Sequence, residues 1–322
     1  MKIIDMHSDL FTDIAWRKSR GESNIFDAYH YPKLKAGLVE TVICVFWVEP
    51  VFQQAPLERI QTVYRLVMED LEHSKYAQIC RSLSDALFSP PSDKINLIMG
   101  LEGLDFLGSS LHQLPESLSR LDEIGINHMS LTWNGRNDFA SGTGSGHLQS
   151  GLTHLGNLAV NKANEFGWLV DASHLDDESF WNLYHYSHRP IIASHSNART
   201  LCVHERNLTD AQLKAIAEKN GIVGLNSYWG FIDPKKPTLD RFVDHAIYIA
   251  DLIGTEHLAF GFDFMDYLKG HAIGLEMAGS TKGLEDITRI PALLEQMAKR
   301  GFTNKELEAI GYQNAIRLIE SK

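Results

Sequence analysis

Residues 168–199 read WLVDASHLDDESFWNLYHYSHRPIIASHSNAR. Two short apolar runs, 169–172 and 190–193, each lead into Ser-His, which sets His174 and His195 just beyond them. The residues between, 176–186, have the length and pattern of a helix. The stretch is therefore a strand–helix–strand unit with a histidine at the exit of each strand. In a parallel α/β barrel the C-terminal ends of the strands converge on one mouth, and the chemistry sits there. Two histidines delivered to that mouth by consecutive strands point to a metal ion, whose other ligands belong at the same end.

Outward from this unit, strands are predicted at 2–6, 41–48, 95–101, 125–132, 169–173, 190–194, 221–226 and 257–262. Helix-period segments lie at 56–73, 109–121, 154–166, 209–219, 239–253, 284–300 and 304–320, with Thr209 as an N-cap. The connection between the first two strands is too long for a turn and is expected to carry a helix as well. Alternation of strand and helix without a shift in composition predicts one α/β domain over residues 1–322, a (β/α)8 TIM barrel. The glycine-rich loop 135–151, with Gly142, Gly144 and Gly146, is followed by no Gly-Lys-Ser/Thr, so it reads as a rim or lid and not as a phosphate loop.

Bulk properties exclude several partners. The chain has 322 residues, 44% apolar and 22% charged, with a net charge of −11 and no basic cluster. Nucleic acid and anionic membranes are therefore not expected to bind. Cys44, Cys80 and Cys202 are odd in number, far apart and without a CxxC pair, which reads as reduced core thiols. No signal-peptide pattern, membrane-length apolar run or lipid-anchor tail is evident, so a cytoplasmic protein is expected.

Further candidate ligands lie at the other strand ends. The first strand ends Asp5-Met-His-Ser-Asp9; His7 and Asp9 are two apart, so in extended chain they share a face. That places a nitrogen and an oxygen donor side by side, suited to Zn2+ or a similar ion. The third strand runs into Glu102, whose carboxylate can bridge two ions. His174 and His195 complete the second ion, and Asp263 follows the last strand. Two divalent ions against Asp9, Glu102, Asp263 and one hydroxide leave a formal charge near zero. Each residue also has a plain reading: a core or capping histidine, a carboxylate at a helix N-terminus. Their joint placement at one end is what those readings do not explain. The other histidines, such as His73, His112 and His245, are expected in helices or loops without a special role.

At these residues the chain resembles the membrane dipeptidase (renal dipeptidase-like) family, zinc hydrolases of the amidohydrolase superfamily. The matching stretches are Asp5-Met-His-Ser-Asp-Leu10, Leu34-Lys-Ala-Gly-Leu38, Gly100-Leu-Glu-Gly103 and Leu131-Thr-Trp-Asn134. They continue through Gly151-Leu-Thr153, Val170-Asp-Ala-Ser-His174, Ser194-His-Ser-Asn197, Arg206-Asn207, Gly261-Phe-Asp263 and Gly283-Leu-Glu-Asp286. The resemblance implies a barrel of the metallo-dependent hydrolase type. It implies one zinc on His7 and Asp9, a second on His174 and His195, and Glu102 bridging them as a catalytic carboxylate. Asp263 matches the family's acid/base carboxylate, which also touches substrate, and Arg206 the arginine that holds a substrate's C-terminal carboxylate. Tyr228 falls near a pocket tyrosine. The implied activity is hydrolysis of free dipeptides, L-L and L-D, by attack of a metal-bridging hydroxide. Barrels of this kind often form homodimers.

One position departs from the family. Where its better-known members carry a histidine that assists the oxyanion, after Leu-Thr, this chain has Trp133. Indole has one N–H donor and never a positive charge. Either Trp133 donates through its indole, a neighbour such as Asn134 or Arg136 substitutes, the substrate range differs, or Trp133 only lines an apolar pocket. Rival readings are another amidohydrolase, acting on cyclic amides or N-acyl amino acids, and a metal-stabilised barrel that binds dipeptides without cleaving them. The carboxylated lysine that many cyclic amidohydrolases use has no counterpart in 125–134, and a merely structural site would not require Asp263.

Overall fold

The computed structural model describes residues 1–88, 90, 93–148, 150–275 and 279–320. Nine strands form one sheet among them: β1 (Ile3–Ser8), β2 (Val39–Trp47), β3 (Ala77–Cys80), β4 (Ile95–Glu102), β5 (Ile126–Ser130), β6 (Leu169–Asp171), β7 (Ile191–Ile192), β8 (Val223–Leu225) and β9 (Leu258–Phe260). All pairings are parallel, in the order β7-β6-β5-β4-β2-β1-β9-β8. The ends of that series meet as well: Gly224 N–H donates to Ala193 O at 2.8 Å and Ala193 N–H to Ile222 O at 3.0 Å. A ring of eight strands results, with helices outside it, a (β/α)8 barrel. β3 stands off the ring. It pairs with the first half of β4, from Ala77 opposite Ile95 to Cys80 opposite Ile98, and β5 takes over the same edge at Met99.

The helices Pro56–Leu71, His154–Phe166, Asp177–Tyr186, Asp210–Glu218 and Leu239–Ile253 lie where the periodicity put them. Thr209 caps one of them, its Oγ1 accepting from Gln212 N–H. Two others begin later than expected, at Leu114 and at Ile290, the second after a single turn at Ile287–Arg289. Each has a proline in its first turn, Pro115 or Pro291. Proline lacks an N–H and clashes with the preceding turn, so a helix starts at such a residue and does not run through it. The connection between β1 and β2 carries Leu10–Ser19 and Tyr31–Ala36, and the last segment is Asn304–Glu308 and Asn314–Glu320 joined by a π-turn.

Alternation along the strands sorts the core. Ile4, Met6, Ile43, Val45, Ile98, Leu169 and Ile192 fill the barrel, and Ala315, Leu318 and Ile319 of the last helix close its bottom. Residues of the opposite parity, among them Val42, Cys44, Phe46, Leu97, Met99 and Leu101, pack against the helices. Continued upward, the inward parity reaches Gly100 and Glu102 of β4, His128 of β5 and Asp171 of β6, where the filling turns polar. In β1 the pairing slips between Asp5 and Ser8, the kind of irregularity that re-aims side chains at a barrel rim. No helix among the described residues is long and apolar enough to cross a membrane.

Candidate active site

Six side chains from five strand ends meet at the mouth. Glu102, the last residue of β4, is the hub: its Oε1 lies 2.8 Å from His174 Nε2, 3.6 Å from His195 Nε2 and 3.7 Å from His7 Nε2. No helix begins after it until Leu114, which disposes of a role at a helix N-terminus. Asp9 precedes the helix Leu10–Ser19, yet its side chain makes no cap hydrogen bond. It turns to the mouth, with Oδ2 4.0 Å from His7 Nε2 and Oδ1 buried without a partner among the described residues. Asp263 brings Oδ1 to 3.9 Å from His7 Nε2, while its Oδ2 accepts Asn226 Nδ2–H at 3.1 Å. Two groups, His7/Glu102/His195 and His7/Asp9/Asp263, each offer ligand atoms within 4.8 Å of one another.

The backbone is strained where two of these residues leave their strands. His174 has φ 70° and Asp263 φ 55°. Left-handed backbone costs a residue with a Cβ roughly 1–2 kcal/mol and gathers at functional sites.

Hydrogen bonds set which nitrogen of His174 and of His195 is bare. His174 Nδ1 lies 2.8 Å from Asn134 Oδ1, an acceptor, so its proton sits on Nδ1. His195 Nδ1 is 2.7 Å from Ser194 Oγ, and that hydroxyl already donates to Asp171 Oδ2. Both rings therefore present bare Nε2 atoms, and these face each other across 2.9 Å. Behind them Asp171 also accepts from Ser173 N–H at 2.8 Å and Ser194 N–H at 2.9 Å, with His128 Nε2 at 3.1 Å. The sequence reading missed this network. His128 is a buried strand residue, not one of the helix or loop histidines expected, and Tyr267 was missed too: its hydroxyl meets Ser8 Oγ and Asp9 N–H, both at 3.1 Å. The available signal was a polar residue at an inward position of an otherwise apolar strand.

Electrostatics follow from burial. His7 is pushed down to about 3, chiefly by desolvation, and His174 and His195 fall well below the usual imidazole value for the same first cause. All three are neutral imidazoles at neutral pH. Burial pushes Glu102 and Asp9 well above the carboxylate range, with neighbouring acids adding to it. Asp263 rises to about 6 through burial, against the pull of Asn226 and Arg206. Neutral imidazoles and crowded carboxylates with unpartnered atoms are a donor set made for cations.

Beside this cluster opens a cavity of about 330 Å³, lined by Trp133, Asn134, Thr143, His174, Arg206, Tyr228 and Phe231 among others. Arg206 is 5% exposed, not a surface residue near Thr209; its Nε has no partner among the described residues, and its Nη2 donates at a long 3.5 Å to His195 O. Trp133 leans on Trp47 with ring centroids 5.2 Å apart, and Met265 and Leu275 join the same apolar patch. Tyr228 and Asp263 both line the cavity. Asn134 is committed to His174, and Arg136 is exposed. The loop 135–151, of which Gln149 lies outside the described residues, is a tied rim: Thr143 N–H donates to His174 O at 2.9 Å and Gly144 N–H to Asn134 O at 2.7 Å.

The family model for membrane dipeptidases (peptidase family M19) matches residues 1–322. Dipeptidase tcpJ of Claviceps purpurea is 28% identical over 305 residues, 93% of this chain and 63% of its own. An uncharacterized dipeptidase of Schizosaccharomyces pombe is 31% identical over 271 residues, 81% of this chain and 61% of its own. The chain thus spans about three fifths of the length of these curated relatives. A metallo peptidase from Rhodobacter sphaeroides, solved with a phosphinate mimic of the dipeptide L-Ala-D-Ala, has the same fold, with TM-score 0.85 at 22% identity over 99% of both chains.

Proposed function

The chain belongs to the membrane dipeptidase family, and on that premise we propose that it is a metal-dependent dipeptidase, cleaving free L-L and L-D dipeptides with two divalent ions, zinc foremost. His7 and Asp9 would hold one ion, His174 and His195 the other, and Glu102 would bridge them. The observation that carries this reading is the pair of bare Nε2 atoms facing each other 2.9 Å apart beside Glu102 Oε1. Two lone pairs so placed repel, and a cation against both would turn that repulsion into ligation. The unpartnered Oδ1 of Asp9 fits the same demand.

Ions held there would supply Lewis acidity and a water acidic enough to ionise near neutral pH. The rest of the chemistry falls to the chain. Asp263, held by Asn226 and raised to about 6, is poised to take a proton from water and pass it to the departing amine. Arg206, with its buried Nε unused, would clamp the C-terminal carboxylate in a two-pronged contact and so restrict substrates to short peptides with a free acid. Trp133 and Tyr228 wall the remainder of the cavity. We read residues 1–322 as one working unit, and the three buried free thiols favour a reducing, cytoplasmic setting.

The test is hydrolysis of L-Ala-L-Ala, L-Ala-D-Ala, L-Leu-D-Ala, an N-acetylated dipeptide and a dipeptide amide, with metal content measured on the same sample. Cleavage of free dipeptides alone, with about two ions per chain and loss on chelation, is the expected result. No cleavage of any member despite two bound ions would overturn the dipeptidase reading.

A further inference from the structure

The network behind His195 has a direction as well as a shape. Asp171 Oδ1 accepts two backbone N–H groups, from Ser173 at 2.8 Å and Ser194 at 2.9 Å. Its Oδ2 takes the Ser194 hydroxyl and faces His128 Nε2 at 3.1 Å. Four donors saturate the carboxylate. Since the one hydrogen of Ser194 Oγ is spent on Asp171, that oxygen meets His195 Nδ1, 2.7 Å away, only as an acceptor. Ser173 Oγ, at 3.5 Å from Ser194 Oγ, is a second and longer contact. His128 Nδ1 has no partner among the described residues, so its ring proton belongs on Nε2, against Asp171. Its ring fits only because residue 100 is glycine: a Cβ there would lie 2.6 Å from His128 Nδ1.

We propose that Asp171, Ser194 and His128 are positioning residues that lock the tautomer of His195, keeping its proton on Nδ1 and its Nε2 bare, and so set the affinity of the metal position that His195 serves. The proposal rests on the metal-dependent reading of the site but not on its substrate. It makes an unusual demand of an isosteric change. In Asp171→Asn the two backbone donors hold the amide oxygen at the Oδ1 side, which leaves the NH2 facing Ser194 and His128. That group donates where the carboxylate accepted. The Ser194 hydrogen then turns to the nearer free acceptor, His195 Nδ1, and the ring proton moves to Nε2, where it blocks a ligand position.

The test uses the full chain with 15N-labelled histidine, freed of metal, and the His195 signals assigned by their loss in His195→Gln. The wild type should show its His195 proton on Nδ1, and Asp171→Asn should show it on Nε2. In a chelator competition with Zn2+, Asp171→Asn and Ser194→Ala should each weaken one of two ions by about 10–100-fold, the usual cost of removing such a supporting contact, and leave the other nearly unchanged. A wild-type His195 protonated on Nε2 would overturn the proposal, even if neither variant folds. So would an Asp171→Asn protein with both affinities and the ring spectrum of the wild type. Neither readout involves a peptide, so failure of the dipeptide panel and failure here are separate results.

Discussion

His174 and His195 turn bare Nε2 atoms toward each other across 2.9 Å, each ring held from behind, by Asn134 and by Ser194. A cation against both would turn the repulsion of two lone pairs into ligation, so bound metal is expected to stabilise the fold. Ions at a thousandfold over their dissociation constant add about 4 kcal/mol to a fold that binds them only when native. Chelation should lower the calorimetric midpoint by several degrees and abolish hydrolysis, and Zn2+ should restore both. A midpoint indifferent to chelator would show that the donors are not engaged.

Arg206 is buried beside the cavity, its Nε unpartnered among the described residues. Hydrogen bonds to charged groups are worth about 1.5–3 kcal/mol each, so Arg206→Met should cut kcat/KM for a free dipeptide by about 10–100-fold, mostly through KM. Hydrolysis of the corresponding dipeptide amide should change little. Equal losses on acid and amide would remove the clamp from the mechanism.

Trp133 rests on Trp47 with centroids 5.2 Å apart, within an apolar patch that includes Met265 and Leu275. This placement makes it a wall of the cavity. Trp133→Phe, which keeps the ring and deletes the indole N–H, should leave kcat within a few fold. Loss of about a hundredfold, the scale of an oxyanion donor, would assign the indole to the developing charge instead.

Asp5 gives a signed dependence on pH. Its carboxyl is pushed up to about 8 from an ordinary 3.8, chiefly by burial and against N–H groups of Phe262 and His7. Between those values the folded protein holds a proton that the unfolded chain has lost, so this group's contribution to stability falls as pH rises and is constant above about 8. The Asp5→Asn variant does not titrate. In urea melts of metal-free protein its stability relative to wild type should therefore climb from pH 4 to 8, by at most about 1.4 kcal/mol per unit, and level off beyond. A constant difference across that range would mean that Asp5 is ionised in the fold.

The barrel and the meeting of six polar side chains at its mouth were legible because both depend on local spacing. His7, Asp9, Glu102, His174, His195 and Asp263 lie at or just past strand ends, and strand ends can be found from apolar runs. β3 was not found because Ala77–Cys80 is four residues long, with Gln78 exposed, too short for alternation to register. The helices at Leu114 and Ile290 were drawn too early because periodicity outweighed Pro115 and Pro291, which mark helix starts. The Asp171 network joins residues from β5, β6 and the end of β7, remote in sequence, and its meaning depends on which atom donates. Spacing carries no such information.

The left-handed backbones of His174 and Asp263 have a consequence for how this protein can be improved. Glycine at either position would relax the turn by roughly 1 kcal/mol, a gain set against the lost contact with Asn134 or Asn226. Each such gain deletes a side chain from the mouth. Any selection that rewards thermal tolerance in the absence of metal therefore drifts toward sturdier barrels that have lost their chemistry, and only selection under metal, with turnover scored, keeps the strained residues in place.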